Sequence, residues 1–350
     1  MHRGFCDLWW KREEMMQSPD IDELAVRVQI SDPDPLLADA GLPLRALYFP
    51  LGFPLEVHTN SSRICAAARA SWQKFKPRFA CPPLMLRIGV DDSMDSIEMP
   101  LAPICRSQGG LLTGIADMQN FFVCNLDQGF SFGWVTPQTA KSTAYLRYHI
   151  LEAAALSMVA GLLATPVHAA CVAPLQCGML LCGDSGAGKS SLAFAGARAG
   201  WTFVTDDASY LPLDHFDRTV IGNCHQFRLR ESGVGLFPEL EGRTITPRAA
   251  GKPSIEIATS EFPDITTSDS AVVEYVIFLN RQYDGPAGLY PFPKDRALEW
   301  FSQFPIKGIE SYQTHLEMIQ HLLNVDVLEL RYTELDWAIE RLNILAVTGR

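Results

Sequence analysis

The sequence Gly183-Asp184-Ser185-Gly186-Ala187-Gly188-Lys189-Ser190 lies at the middle of this 350-residue chain and fits the pattern G-x-x-x-x-G-K-[ST] at every position. The apolar run GMLLC, residues 178–182, precedes it. A helical pattern from Lys189 to Arg198 follows it and stops at Gly200. Strand, glycine-rich loop and helix in this order predict the beginning of a wound α/β core. The alternative is a glycine turn that only caps a helix, which the flanking strand disfavours.

The residue types in this loop are typical of a phosphate-binding loop. Glycines allow successive backbone N–H groups to curl around phosphate oxygens, Lys189 can reach the β- and γ-phosphates, and the Ser190 hydroxyl can bind Mg²⁺. ATP and Mg²⁺ are therefore the expected cofactors. The predicted nucleotide-binding residues are Gly183, Asp184, Ser185, Gly186, Ala187, Gly188, Lys189, Ser190 and Ser191.

Two adjacent carboxylates, Asp206 and Asp207, follow the next predicted strand, TFVT. Their position after the loop helix predicts that both lie beside the phosphates. One carboxylate of such a pair can hold Mg²⁺ while the other accepts the proton of an attacking hydroxyl. A solvated turn is the alternative interpretation of the pair.

The standard ATPase and GTPase signatures are incomplete in this chain. The strongest apolar run, VVEYVIFLN at residues 272–280, predicts a strand buried on both faces, but it ends in Asn280 rather than in an acid. Residues 280–284, NRQYD, lack the lysine of the guanine-reading N-K-x-D element and are one residue too long. Both standard classes are therefore disfavoured.

Three segments together resemble one known family. Val167-His168-Ala169-Ala170 precedes the loop, and Val204-Thr205-Asp206-Asp207 follows it. With the GDSGAGKS loop they resemble the catalytic domain of the bacterial HPr kinase/phosphorylase family in both order and spacing. The closing run LELRYTELDWAIERLNIL, residues 328–345, is similar to the last strand and helix of HPr-kinase-related proteins. The resemblance covers about residues 165–348.

This resemblance implies an α/β P-loop kinase core of the HPr kinase and PEP carboxykinase type. It implies that Lys189 and Ser190 bind phosphate and Mg²⁺, that Asp206 deprotonates a serine hydroxyl, and that Asp207 supports the metal. His168 would lie near the transferred phosphate. It also implies a homo-oligomer.

The chain departs from the family pattern at three places. Ser191 replaces the glutamate after the loop serine, so one acidic metal contact is missing. Residues 227–235, FRLRESGVG, replace the family's arginine segment, and Arg230 or Arg228 would take its role. The loop of the reverse phosphorylase reaction has no counterpart beyond the nearby cations Arg248 and Lys252. HPr itself and the reverse reaction are therefore not expected.

The chain divides into three predicted regions: a loosely held N-terminal extension, residues 1–22; an α+β accessory or substrate domain, residues 23–164; and the kinase domain, residues 165–350. The accessory domain is expected to pair its strands antiparallel. Its pattern predicts a hairpin that turns at residues 127–129, a helix at 61–75 with Asn60 as its N-cap, and a long helix at 139–163. In the kinase domain, helices are predicted at 294–303, 309–323 and 333–345. Polar residues 228–260 predict a mobile active-site loop.

The composition excludes some classes of function. The chain has 29 Lys and Arg against 40 Asp and Glu, a net charge of −11, and no basic run. Gripping a nucleic-acid backbone or an anionic membrane needs a concentrated positive surface, so neither is expected. Nine scattered cysteines indicate a reducing compartment, and the N-terminus shows no secretory signal, so a cytoplasmic protein is expected.

Three functions remain open at this level. The first is a kinase that phosphorylates a Ser or Thr hydroxyl of a peptide or small protein, such as a ribosomally made peptide. The second is a kinase with a small-molecule hydroxyl acceptor. The third is a nucleotide-binding regulatory module without catalysis, which Ser191 favours and the retained Asp206-Asp207 pair disfavours.

Overall fold

Two large sheets, one from each half of the chain, form the architecture. The computed structural model describes residues 41–93, 98–214, 217–248, 252–281 and 283–349, all within one compact unit, Gly41–Arg350. The predicted extension and the first predicted strand, LAVRVQI, lie outside the described residues. The division into an accessory domain and a kinase domain stays a prediction.

The first sheet has seven strands in the order β1-β2-β3-β7-β6-β5-β4. The expectation of antiparallel pairing is wrong for two pairs, since β2 with β3 and β3 with β7 run parallel. Helix α1 (Ser62–Trp72) returns the chain from β2 to β3 in the same direction, as a parallel crossover requires. The predicted hairpin is confirmed as β6 and β7. The strands are β1 Leu44–Tyr48, β2 Leu55–Thr59, β3 Leu84–Val90, β4 Ile104–Gln108, β5 Leu111–Ile115, β6 Phe121–Asn125 and β7 Phe130–Val135.

Asn60 does not cap helix α1 as the sequence predicts. The N-cap residue is Ser61, without a side-chain cap bond. The Asn60 amide instead donates to the backbone oxygen of Val90 and accepts from its N–H, each at 2.8 Å. The side chain therefore ties the end of β2 to the end of β3, which satisfies two backbone groups rather than one.

The predicted long helix at 139–163 consists of consecutive shorter pieces. Thr136 and Ser142 each accept a backbone N–H as N-caps, so the helix starts twice. A π-helical turn, Leu146–Leu151, then leads into the last piece, which is apolar and largely buried in the first core. The pieces are α2 Pro137–Ala140, α3 Thr143–Tyr145 and α4 Glu152–Leu162.

The second sheet has nine strands, with β17 at its centre between β10 and β19, both parallel to it. The expectation that this strand is buried on both faces holds only for Val276–Leu279, because its first half is partly exposed. The strands are β8 Ala164–Val167, β9 Ala170–Ala173, β10 Gly178–Cys182, β11 Thr202–Thr205, β12 Ser209–Pro212, β13 Thr219–Gly222, β17 Ser270–Asn280, β18 Gly288–Pro291 and β19 Asp326–Arg331.

Residues 228–260 are not wholly a loop. They contain most of a three-stranded sheet of β14 (Gln226–Leu229), β15 (Ile245–Thr246) and β16 (Ser254–Ala258). Phe227, Ile255 and Ile257 alternate with polar neighbours and are buried in the second core. This period of two is the strand signal that the polar composition of the segment hides.

Helix α5 (Lys189–Arg198) has the predicted bounds, and the three closing helices are confirmed with shifted ends. The last one runs three residues beyond its prediction because Gly349, at φ 71°, ends it in the left-handed conformation. None of the helices in the described ranges combines the length and the apolar character that crossing a bilayer requires. The closing helices are α6 Lys294–Phe301, α7 Tyr312–Leu322 and α8 Leu335–Thr348.

Candidate active site

The predicted site residues meet at one edge of the second sheet because of its topology. Strand β9 runs antiparallel to both β10 and β11, so β10 and β11 point the same way. The glycine loop after β10 and the acid pair after β11 therefore leave the same edge. His168, just before the first residue of β9, lies at this edge as well, since Ala170 pairs with Leu181 near the end of β10. Carboxyl ends of parallel strands are the usual ligand edge of such sheets.

The loop between β10 and α5 depends on glycine. Gly183, Gly186 and Gly188 have φ values of 140°, 103° and 101°, a region that other residues rarely adopt. A Cβ on Gly183 would lie 2.8 Å from the Cβ of Ala187, and one on Gly188 would lie 2.8 Å from the Tyr332 hydroxyl. Only a glycine backbone can therefore make this turn, which ends at the N-terminus of α5, where free N–H groups favour an anion.

Lys189 points back into the loop and is only 6% exposed. Its Nζ donates to the backbone oxygen of Gly183 at 2.7 Å and lies 3.1 Å from Nε2 of His168. Burial lowers the pKa of the ammonium. The carbonyl oxygens hold the cation at the centre of the loop, where a phosphate oxygen can reach it.

Asp206 is 5% exposed, and burial, together with the neighbouring Asp207 carboxylate, raises the pKa of its carboxyl to about 7. Its Oδ2 accepts the backbone N–H of Arg228 at 2.5 Å. The Ser190 hydroxyl donates to the backbone oxygen of Asp206 at 3.2 Å, which ties the start of α5 to the acid pair. Asp206 therefore has the environment of a general base near neutral pH.

Asp207 carries the second carboxylate of the pair and is bound by Arg248. Its Oδ1 also lies 3.5 Å from Nδ1 of His168. His168 thus stands between Asp207 and Lys189, and burial lowers the pKa of its imidazole. The structure brings together the four residues that the sequence singles out at this edge: His168, Lys189, Asp206 and Asp207.

The structure distinguishes the two candidate arginines. Arg228 is buried, and its guanidinium binds Glu256, donates to the backbone oxygen of Pro247 at 3.0 Å and stacks 4.5 Å above the Tyr148 ring. Arg230 instead reaches the loop itself and donates to the Ser185 hydroxyl. Arg230 is therefore the arginine available to phosphate, while Arg228 supports the small sheet.

A cavity of about 400 Å³, here called the phosphate-loop cavity, opens beside these groups. Among the described residues its wall has one carboxylate, Asp207, and several cations, so its charge suits a polyphosphate. Gly183 and Asp184 line a neighbouring cavity of about 330 Å³ instead. The basic residues of the phosphate-loop cavity are Lys189, Arg228, Arg230, Arg248, Lys252 and Arg281.

A second cavity, here called the apolar cavity, has a volume of about 410 Å³ and also adjoins the acid pair. Of the two cavities Asp206 lines the apolar one, while Asp207, Arg228 and Arg248 line both, so the acid pair lies where the two cavities adjoin. Sequence reasoning missed this cavity because both halves of the chain contribute to it and no spacing links them. Its large side chains include Leu51, Trp72, Phe75, Leu112, Tyr148, Leu156, Tyr210, Phe304 and Ile306.

The oxygen ligands near the loop fit a magnesium ion that is held mainly by phosphates. In the ranges that the structure describes, no three His, Cys, Asp or Glu side chains are grouped to hold a metal by themselves. Asp207 and Ser190 both line the phosphate-loop cavity. One carboxylate and one hydroxyl are what Mg²⁺ commonly takes from a protein when substrate phosphates supply further ligands.

The Tyr332 hydroxyl lies buried beneath Gly188 and has no hydrogen-bond partner among the residues that the structure describes. We expect Tyr332→Phe to leave the melting temperature unchanged or to raise it, because the substitution removes an unsatisfied polar group. The corresponding gain in the free energy of unfolding is at most roughly 1 kcal/mol. Tyr148→Phe is the matched control, since that hydroxyl donates to Glu256 at 2.5 Å and its loss should destabilise. A melting temperature for Tyr332→Phe below that of the wild type in thermal denaturation would contradict this prediction.

Comparison with known proteins finds a partial similarity among solved structures. No family model and no curated protein matches the chain. Among solved structures, the Hpr(Ser) kinase/phosphatase from Coxiella burnetii is similar at a TM-score of 0.32 and 15% identity, over 53% of this chain and 90% of that one. The chemistry assigned to the site rests on the contacts described above.

Proposed function

We propose that this protein is an ATP-dependent kinase that transfers the γ-phosphoryl group to a hydroxyl. The observation that supports this most strongly is the position of the acid pair, since Asp206 and Asp207 lie where a basic phosphate-loop cavity adjoins a second, apolar one. A phosphoryl donor on one side and a hydroxyl acceptor on the other would meet at these carboxylates.

The phosphate-loop cavity offers positioning and charge, which are the main requirements of phosphoryl transfer. The loop N–H groups, Lys189 and Arg230 would hold the β- and γ-phosphates. Asp207 and Ser190 would hold Mg²⁺, which when bound neutralises phosphate charge. Arg248 binds Asp207 in the structure and balances its charge.

Asp206 would act as the general base. Its carboxylate would accept the proton of the acceptor hydroxyl as that oxygen forms a bond to the γ-phosphorus. The bond from the γ-phosphorus to the bridging oxygen breaks, and that oxygen leaves with ADP. The Arg228 N–H holds one carboxylate oxygen in place, so the base is oriented before the acceptor arrives.

The acceptor class has two candidates. The resemblance of the motifs favours a Ser or Thr hydroxyl of a peptide or small protein. The apolar cavity beside Asp206 favours a small-molecule hydroxyl. A regulatory module without catalysis is disfavoured, because binding alone does not require a buried carboxylate whose pKa lies near neutrality.

The pH dependence of transfer should follow Asp206. Because the carboxyl must be ionised to accept a proton and its pKa is raised to about 7, kcat/KM for ATP should rise about tenfold per pH unit below that value and level off above it. Because the pKa of Asp206 is raised from its ordinary value of 3.8 to about 7 in the folded state, this group lowers the free energy of unfolding progressively as the pH rises from 3.8 towards 7. A profile that is flat from pH 5 to 8, measured at constant ionic strength, would exclude Asp206 as the base.

The direct test is transfer of label from γ-labelled ATP with Mg²⁺ to a peptide and small-protein fraction, and in parallel to a metabolite fraction, from the protein's own source. Label in an acceptor that is lost with Lys189→Ala and with Asp206→Asn supports the kinase. The fraction that takes the label decides between the two acceptor classes. Saturable ATP binding without transfer to either fraction counts against catalysis.

A further inference from the structure

The apolar cavity, called the chamber below, is lined in large part by buried side chains. Its walls include side chains that are almost wholly buried, such as Leu51 at 7%, Trp72 at 3% and Tyr148 at 1% exposure. The lining residues come from the end of α1, from α4, from β12 and from the chain around residues 304–306. Its volume of about 410 Å³ lies within the range of small-molecule sites, roughly 300–1,000 Å³.

We infer that this chamber binds the acceptor and that the acceptor is a small, uncharged alcohol with a largely apolar body, its hydroxyl placed at Asp206. The inference rests on the proposed phosphoryl transfer and specifies its substrate. Most of the wall is apolar or aromatic, so an apolar body gains from burial there. Asp206 lines the chamber beside Asp207 and is the group assigned to take the hydroxyl proton. The Glu152 carboxylate, by contrast, is already bound by Ser71 and Arg147.

The charges on the wall argue against an anionic acceptor. Glu152, Asp206 and Asp207 bring carboxyl groups to the chamber. The guanidinium groups that reach it are already paired, Arg228 with Glu256 and Arg248 with Asp207. Among the residues that the structure describes, the chamber therefore has carboxyl groups that would repel an anion and no unpaired cation that would attract one.

The polarity of the wall also argues against a peptide as the occupant. Each enclosed peptide unit would bring an N–H and a C=O that need partners, and leaving them unmet in an apolar site costs several kcal/mol by transfer estimates, about 2–7. Several polar side chains of the wall are already engaged: Ser71 donates to Glu152 at 2.7 Å, and Thr205 donates to the backbone oxygen of Ala208 at 3.1 Å. An alcohol brings only one hydroxyl, and Asp206 can accept its hydrogen bond.

Filling the chamber should remove acceptor binding and spare the nucleotide. Ser157 lies on α4, lines the apolar cavity and does not line the phosphate-loop cavity. Ser157→Trp places a large ring in the chamber. Ser157→Leu, which fills less of the chamber, replaces it if the tryptophan variant fails to fold. Ala70→Trp is the matched control, because Ala70 is exposed on α1 and lines neither cavity.

The probe is naphthylethanol, a primary alcohol on an apolar ring system, compared with ethylnaphthalene, glycerol and a serine peptide with blocked ends. We expect the wild-type protein to bind naphthylethanol and, with MgATP, to phosphorylate it in preference to glycerol and the peptide. Ser157→Trp should weaken this binding by at least about tenfold, whereas Ala70→Trp should not change it. Affinity for MgATP, measured separately by calorimetry, should be the same in all three proteins.

Two results would overturn the inference and leave the proposed function standing. One is a protein that binds MgATP but neither binds nor phosphorylates naphthylethanol. The other is transfer to the serine peptide at the same rate in the wild type and in Ser157→Trp, which would make a peptide the acceptor. Absence of MgATP binding in the wild type would instead overturn the proposed function, and calorimetry separates that failure from the others.

Discussion

Asp206→Asn is expected to lower the rate of phosphoryl transfer by about 10²–10⁴-fold while the affinity for MgATP stays close to that of the wild type. The amide has the size of the carboxylate, and its oxygen can still accept the Arg228 N–H. The amide cannot accept the proton of an alcohol, so the variant removes the proton transfer and leaves the other contacts in place. Burial already disfavours the ionised carboxylate, so the neutral amide should not lower the melting temperature.

Single-turnover transfer and calorimetry of MgATP binding measure the two sides of this prediction. Asp264→Asn is the control, because Asp264 is exposed and lines neither cavity. Transfer by Asp206→Asn at the wild-type rate would remove Asp206 from the role of base. An equal loss of ATP binding and of transfer would instead place Asp206 in the nucleotide site.

Lys189→Met should impair both steps. Methionine keeps most of the length of the side chain, lacking only the terminal atom, and removes the cation at the centre of the glycine loop. Hydrogen bonds from a charged donor are each worth about 1.5–3 kcal/mol, so ATP affinity should fall by roughly 10–100-fold. Transfer should fall further, by about 10²–10³-fold, because the γ-phosphate carries more charge on the outer oxygens in the transition state.

Lys294→Met is the control for this variant, since Lys294 is exposed at the start of α6. Burial lowers the pKa of Lys189, which shows that the buried charge has a cost, so Lys189→Met should melt no lower than the wild type. Unchanged ATP affinity in Lys189→Met would mean that the loop does not bind the phosphates of ATP. A large drop in melting temperature would make Lys189 a structural residue.

The loop and its helix could be predicted from the sequence because their determinants are local. The glycines that adopt positive φ, the strand before them and the bounds of α5 all follow from residues within one short stretch. The grouping of His168 with the acid pair was predictable only through the family resemblance. In the structure it results from β9 running antiparallel between two strands that point the same way.

Features that depend on contacts between distant segments were not predictable. The sequence offered Arg230, with Arg228 as the alternative, for one role, and the two are separated by contacts across the fold: Arg228 pairs with Glu256 on the neighbouring strand, whereas Arg230 reaches Ser185 of the loop. The parallel pairing of β2 with β3 depends on where α1 packs. The apolar cavity needs Trp72 and Phe304 to face the same space, and nothing in their spacing indicates this.

The central claim is that ATP and the acceptor meet across the acid pair, and a crystal structure with Mg²⁺ and a non-hydrolysable ATP analogue tests it most directly. We expect the triphosphate in the phosphate-loop cavity, with the γ-phosphate in contact with Lys189, about 3 Å from Nζ, and its outer face turned towards Asp206. A nucleotide bound elsewhere, or one whose γ-phosphate points away from Asp206, would contradict the account.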